Sequence, residues 1–223
     1  MHERAQRAEG LGFDPVGPDG ALPEVPQVPL TLRERRKATT MRRVQTVAVD
    51  LFDVRGFDAV TIEEVAAAAE VSPSTIYRYF GTKERLVLHD EYDDLFLRLV
   101  PVLLAQHDPV TATEKAMALL MPAHLGDERM IRRVQLWFDH PAIRAAGYLL
   151  MDEMADDLAQ LLAASPRHEY TLPQARVVVG ALVGGLITAI RDWHESGGDG
   201  DLTAMIADGV QAMRRAFGGD GRR

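Results

Sequence analysis

Between Gly56 and Gly81 the chain alternates helix-stopping and helix-starting signals at short range, and this leaves few folds open. Gly56 is a natural stop for the helix before it, with Phe57 placed to fold back on a core. Thr61-Ile62-Glu63-Glu64 is a capping box, threonine at the cap and glutamate three residues on. It opens a second helix over Ile62 to Ala69, with Ile62, Val65, Ala66 and Ala69 facing inward. Ser72 caps again, Pro73 takes the first helical position, and a third helix runs from Pro73 to about Phe80, where Gly81 closes it. Two short capped helices joined by a tight turn make a helix-turn-helix, whose second helix can enter a DNA major groove.

At about 100° per residue, with Ser74 set at 0°, Ile76 falls near 200° and Phe80 near 240°. These two form the inward edge. The opposite edge holds Arg78, flanked by Ser74 and Thr75, with Tyr77 and Tyr79 on the two shoulders. Hydroxyls and a guanidinium in the middle suit base-edge contact, and phenols at the rims suit phosphate contact. The competing reading is a small hairpin with a solvated outer face.

The rest of the chain reads as all-α. A long first helix spans about Leu32 to Arg55, with Val44, Val47, Ala48, Leu51 and Phe52 on one stripe. Thr82 caps a fourth helix expected over Lys83 to Leu104, ended by Asp108-Pro109. Further helices are expected near Thr111–Met121, Asp127–Asp139, Ile143–Ala163, Leu172–Glu195 and Leu202–Phe217. Residues 1–30, with five prolines and four glycines, read as a disordered or extended leader without a secretory signal. Residues 31–86 form the expected helix-turn-helix domain and 87–223 a helical body. The longest apolar run, Val177 to Ile190, is short for a bilayer span of roughly 18–20 residues, so no membrane partner is expected.

The net charge is −8, which disfavours indiscriminate binding to polyanions. Its distribution is uneven: residues 1–30 carry −3, residues 31–86 carry +2, and residues 87–223 carry −7. A basic face on an acidic body suits docking on DNA in one orientation. Arg33, Arg35, Arg36 and Lys37, with Arg42 and Arg43 beyond them, read as a basic arm along a groove or backbone. With no cysteine, disulfides, thiolate metal sites and a cysteine nucleophile are excluded. No zinc-protease, serine-hydrolase, phosphate-loop or dinucleotide motif is present, so neither an enzyme nor a cofactor is expected. The acidic groups at Asp90–Asp94 and Asp152–Asp157 read as solvated faces.

The stretch G-F-D-A-V-T-I-E-E-V-A-A-A-A-E-V-S-P-S-T-I-Y-R-Y-F-G-T-K-E-R-L, within Ala48 to Leu86, resembles the TetR family of bacterial transcriptional regulators. The resemblance implies a three-helix DNA-binding head, a helical ligand-binding body, a homodimer and a cytoplasmic location. By position it implies that Thr61 and Ser72 are caps able to meet a phosphate. It makes Ser74, Thr75 and Arg78 groove readers, Tyr77 and Tyr79 backbone clamps, and Lys83 a phosphate-neutralising lysine. One departure stands out. The family usually has glycine where this chain has Glu70, and a non-glycine residue in a left-handed turn costs on the order of 1–2 kcal/mol.

In the body, Met117, Met121, Trp137, Phe138, Tyr148, Met151 and Met154, with His124 and His140, could line a lipophilic effector cavity or simply be core. The segment D-E-R-M-I-R-R-V-Q-L-W-F-D-H-P-A-I-R-A is similar to bodies of actinobacterial members of the family, some of which sense acyl thioesters. Small residues four apart, Gly180 with Gly184 and Ala181 with Gly185, let another helix come close. With Met205, Gly209 and Met213 on the following helix they read either as core within one chain or, as the resemblance implies, as a four-helix dimer seam. The function expected is a ligand-responsive dimeric regulator, a repressor on a palindromic operator, in which effector binding selects a body shape that misplaces the heads. The alternative is a helical small-molecule carrier or enzyme with a non-functional head.

Overall fold

The computed structural model describes residues 32–89, 93–120, 128–198 and 200–217; the leader, Met121 and His124 lie outside them. Among the described residues every regular element is helical. In chain order these are α1 (Leu32–Arg55), α2 (Ile62–Ala68), α3 (Pro73–Phe80), α4 (Arg85–Leu88), α5 (Asp93–Leu104), α6 (Pro109–Leu120), α7 (Glu128–Asp139), α8 (Pro141–Ala164), α9 (Leu172–Glu195) and α10 (Leu202–Phe217). The chain divides into two compact units. Among the described residues, one takes 32–89, 93 and 128–150; the other takes 94–120, 151–198 and 200–217. The first unit therefore includes α7 and the start of α8, a segment the sequence reading assigned to the body.

The first unit is built on α1. Met41, Val44, Ala48 and Phe52 make its inward stripe, and Ile62, Val65, Ile76, Phe80 and Leu86 close over it. Gly56 takes φ +83, which only glycine adopts without strain, and turns Phe57 back so that its ring meets Phe52 edge-on at 5.0 Å. From α7 and α8, Trp137 and Ile143 join the same cluster. The indole of Trp137 fits because α8 carries Gly147: a Cβ there would fall 1.9 Å from Trp137 Nε1.

One expected element is corrected. The fourth helix does not run on to Leu104. It stops at Leu88, and His89 is extended, with ψ 139°. The reason is tertiary: the carbonyls at this end are bonded by side chains from elsewhere. Gln45, fully buried on α1, donates from Nε2 to Leu86 O at 3.3 Å and to His89 O. Arg133, buried on α7, donates to Val87 O at 2.5 Å and to His89 O at 2.6 Å. Asp108 also differs from its expected role as an ending, since it opens α6 by accepting the Thr111 amide at 3.0 Å.

The second unit packs the described parts of α5, α6, α9, α10 and the later part of α8 around residues such as Leu103, Ala116, Leu162, Leu182 and Ile206. By length and composition α9 passes as a membrane span, yet Ala175, Val179, Leu182, Val183 and Ile187 on it are buried in this core. Arg176 on α9 is paired with Asp156 on α8 at 2.7 Å.

Candidate nucleic-acid interface

The helix-turn-helix follows from its caps. Thr61 Oγ1 accepts the Glu64 amide at 3.2 Å, and Glu64 Oε2 accepts the Thr61 amide at 2.8 Å, closing the expected capping box. The turn after α2 is a Schellman motif: Glu70 N donates to Ala67 O and Val71 N to Ala66 O. Glu70 sits at φ +51, a left-handed position that glycine fills without strain. Turn length and geometry are therefore retained despite the substitution. Ser72 then accepts the Thr75 amide at 3.2 Å, Pro73 fills N1, and α3 begins.

On α3, Ile76 and Phe80 are buried, while Ser74, Tyr77 and Arg78 are exposed. Tyr77 keeps 51% of its surface accessible, unusual for a phenol with no cover of its own. Thr75 and Tyr79 are half-buried on the flanks. The Arg78 guanidinium lies 4.8 Å from the Tyr79 ring centroid, which spreads it along the outer face. The outward edge is thus two hydroxyls, a guanidinium and a phenol, as the helical angles require.

The remaining candidates stand differently. Lys83 rests its ammonium over the Phe57 ring at 4.2 Å. Thr61 is exposed, but its hydroxyl donates to Glu64 Oε2 at 3.0 Å, so its proton is already committed. The Glu64 carboxyl is held at about 2, chiefly by the Thr61 amide, then by Arg55 and the Thr61 hydroxyl. Arg42 is exposed on α1, and the neighbouring Arg43 lies 3.9 Å from Glu70.

Comparison with known proteins decides what this head is. Residues 46–89 match the family described as bacterial regulatory proteins, tetR family, and residues 108–218 match the MftR C-terminal domain. The chain belongs to the TetR family. The HTH-type transcriptional regulator TcmR of Streptomyces glaucescens is 26% identical over 213 residues, covering 86% of this chain and 90% of that protein. MftR of Mycobacterium tuberculosis is 22% identical over 163 residues, covering 71% and 82%. The crystal structure of NalD from Pseudomonas aeruginosa, titled a secondary repressor of a multidrug efflux pump, superposes with TM-score 0.50. It is 18% identical and covers 79% of this chain and 95% of that one. As a TetR-family member the protein is a DNA-binding transcriptional regulator.

The candidate residues of the TetR body do not form one group. Trp137 and Phe138 stack on each other at 4.8 Å, and the His140 ring meets Phe57 at 4.6 Å, all within the first unit. Tyr148 is 40% exposed on α8 in the same unit. Met117 and Met151 are half-buried in the second unit. An apolar cavity of about 60 Å³ lies in the second unit between α5, α6, α8 and α9, lined by residues including Phe96, Val100, Met154, Leu158, Leu182 and Leu186. Of the bulky residues singled out from the sequence that are among the described residues, only Met154 is on that wall. Those on α7 and early α8 went elsewhere because their helices pack on α1.

The small residues also divide. A Cβ on Gly185 would lie 2.6 Å from Met213 Sδ, and one on Gly209 would lie 3.4 Å from Ala189 Cβ. These residues close the α9–α10 pair within the chain. A Cβ on Gly180 or Gly184 would meet nothing within 4 Å among the described residues, and Val177 on the same edge is 74% exposed. Ala181 and Met205 are half-buried.

Proposed function

We propose that this TetR-family regulator is a homodimeric repressor that reads a palindromic duplex through α3 and is released by a lipophilic effector. The observation that carries the reading is the outer edge of α3, where Ser74, Thr75, Arg78 and Tyr77 face outward while Ile76 and Phe80 anchor the helix from behind. One helix reads only a few base pairs, and each mismatch costs roughly 1–3 kcal/mol, so selectivity requires two heads on a two-fold axis. The exposed edge of α9 at Val177, Gly180, Ala181, Gly184 and Thr188 supplies the dimer face. Its five positions fall within about 100° of arc, and a second copy can approach closely over the glycines.

The effector cavity is the apolar one in the body. Its lining carries one hydroxyl, Thr113, which donates to Pro109 O at 2.8 Å and offers an effector no proton. A ligand part held there is bare hydrocarbon, as in an acyl chain, and the small resting volume means that the helices part to admit it. The bound form is the body shape in which the two heads are wrongly spaced.

Selection of bound sequences from randomised duplex tests this reading. The expected product is a palindrome with half-sites about one helical turn apart (~34 Å), released on adding laurate or its coenzyme A thioester. Tyr77→Ala weakens binding to selected and random duplex alike. Arg78→Ala also relaxes base preference, by roughly 1–3 kcal/mol at its base pair. A wild-type protein that enriches no sequence overturns the proposal.

A further inference from the structure

Three hydroxyls meet at the start of α3. Besides accepting the Thr75 amide, Ser72 Oγ lies 2.8 Å from Ser74 Oγ and 2.8 Å from Thr75 Oγ1. A serine oxygen has one proton and two lone pairs. The Thr75 amide occupies one lone pair, which leaves one proton and one lone pair for two hydroxyl neighbours. One neighbour therefore receives the Ser72 proton, and the other gives its own. The receiver keeps its proton for an outside acceptor; the giver can only accept from outside.

We infer that Ser72, beyond capping α3, is a positioning residue for base readout: it sets Ser74 and Thr75 as an opposed pair, one outward donor and one outward acceptor. The inference rests on the reading of α3 as the base-contacting helix. A free serine or threonine hydroxyl bonds either polarity of base edge and so discriminates poorly. An opposed pair matches a major-groove edge that shows one acceptor and one donor. Adenine does so with N7 and its N6 amine, and a guanine beside a cytosine does so across a step. It disfavours edges that show acceptors only, such as successive guanines.

The test compares base profiles selected from randomised duplex by the full-length protein and three variants, each first checked for wild-type thermal unfolding. Ser72→Thr keeps a hydroxyl and is expected to keep the wild-type profile. Ser72→Gly keeps an acceptable cap but no hydroxyl. It is expected to flatten preference about fivefold, the ordinary worth of one hydrogen bond, at one or two positions per half-site, leaving the positions read by Arg78 unchanged. Ser72→Asp also caps well but carries only lone pairs, so both neighbours turn their protons inward. Its profile is expected to shift toward bases that donate, cytosine through N4 and adenine through N6. Because each profile is normalised, the added negative charge lowers yield without mimicking this shift. Folded Gly and Asp variants that select the wild-type profile overturn the role of Ser72 while leaving α3 as the reading helix. A wild-type protein that selects no sequence overturns both.

Discussion

Arg133 on α7 donates from Nε to the carbonyl of Val87 on α4, 2.5 Å away, at a point where both residues are buried. A cation at a helix C-terminus meets the negative end of the helix dipole, and here it also satisfies the carbonyl of the buried Val87. With Gln45 entering from α1, it ties three helices of the first unit to the residue where α4 ends.

Arg133→Met leaves the Val87 carbonyl without its side-chain donor and the His89 carbonyl with Gln45 alone. Hydrogen bonds to a charged group contribute about 1.5–3 kcal/mol, so a loss of about 2–3 kcal/mol in unfolding free energy is expected. Arg133→Lys recovers only part, because an ammonium lacks the planar fork that reaches two carbonyls. Urea unfolding followed by circular dichroism measures both. A methionine variant within about 0.5 kcal/mol of wild type, the spread of an ordinary surface change, counts against the anchoring role.

The same contact shows where the sequence was legible and where it was not. The ends of α1, α3, α9 and α10 follow from Leu32, Pro73, Leu172 and their stop signals, because caps and periodicity are local. The inward and outward faces of α3 follow from helical angles alone. The break at His89 has no local signal: its cause is Gln45 and Arg133, more than forty residues away on either side. Arg133 is not singled out by the sequence, because on helical angles it lies at the margin of the apolar stripe of α7, about 100° from Val134. The surroundings of three candidate body residues have a similar, non-local cause. Trp137, Phe138 and His140 look like body residues by position, and only the docking of α7 on α1 places them in the head.

Glu70 holds the turn between α2 and α3 at φ +51. Glycine removes a strain on the order of 1–2 kcal/mol there. It also removes the exposed pair with Arg43, at 3.9 Å and of little worth in solvent. Glu70→Gly is therefore expected to stabilise the protein by about 1 kcal/mol, a rise of roughly 2–4 °C in thermal midpoint for a chain of this size. An unchanged or lowered midpoint in differential scanning calorimetry contradicts the strain argument.

The capping box of α2 has a pH signature. The Thr61 amide is the largest cause holding the folded Glu64 carboxyl at about 2, below its ordinary value of 4.5. A carboxyl with a depressed folded pKa adds stability that is fully present above its unfolded value and is lost as pH falls through its folded one. The contribution is therefore intact at neutral pH and declines from about pH 4.5 to about pH 2. In Glu64→Gln the amide cannot titrate or pair as an ion with Arg55, now 2.8 Å from the carboxylate. The thermal midpoints of wild type and variant are expected to differ at about pH 6 and to converge toward pH 2. A gap that stays constant across this range contradicts the assignment.

Gly184 and Gly185 are neighbours in sequence with opposite surroundings, so one substitution at each separates the two jobs of α9. A Cβ at Gly184 finds nothing within 4 Å among the described residues, whereas one at Gly185 is driven into Met213. Gly184→Leu is expected to leave each protomer folded, with undiminished helicity, and to wedge apart the proposed dimer face. Gly185→Leu overpacks the α9–α10 contact and is expected to lower stability by about 1–3 kcal/mol. Sedimentation equilibrium and thermal unfolding read the two effects separately. If Gly184→Leu sediments as wild type does and the wild type is a dimer, the seam is not on this edge of α9. A Gly185→Leu protein as stable as wild type shows instead that Met213 swings away freely and that the contact contributes little.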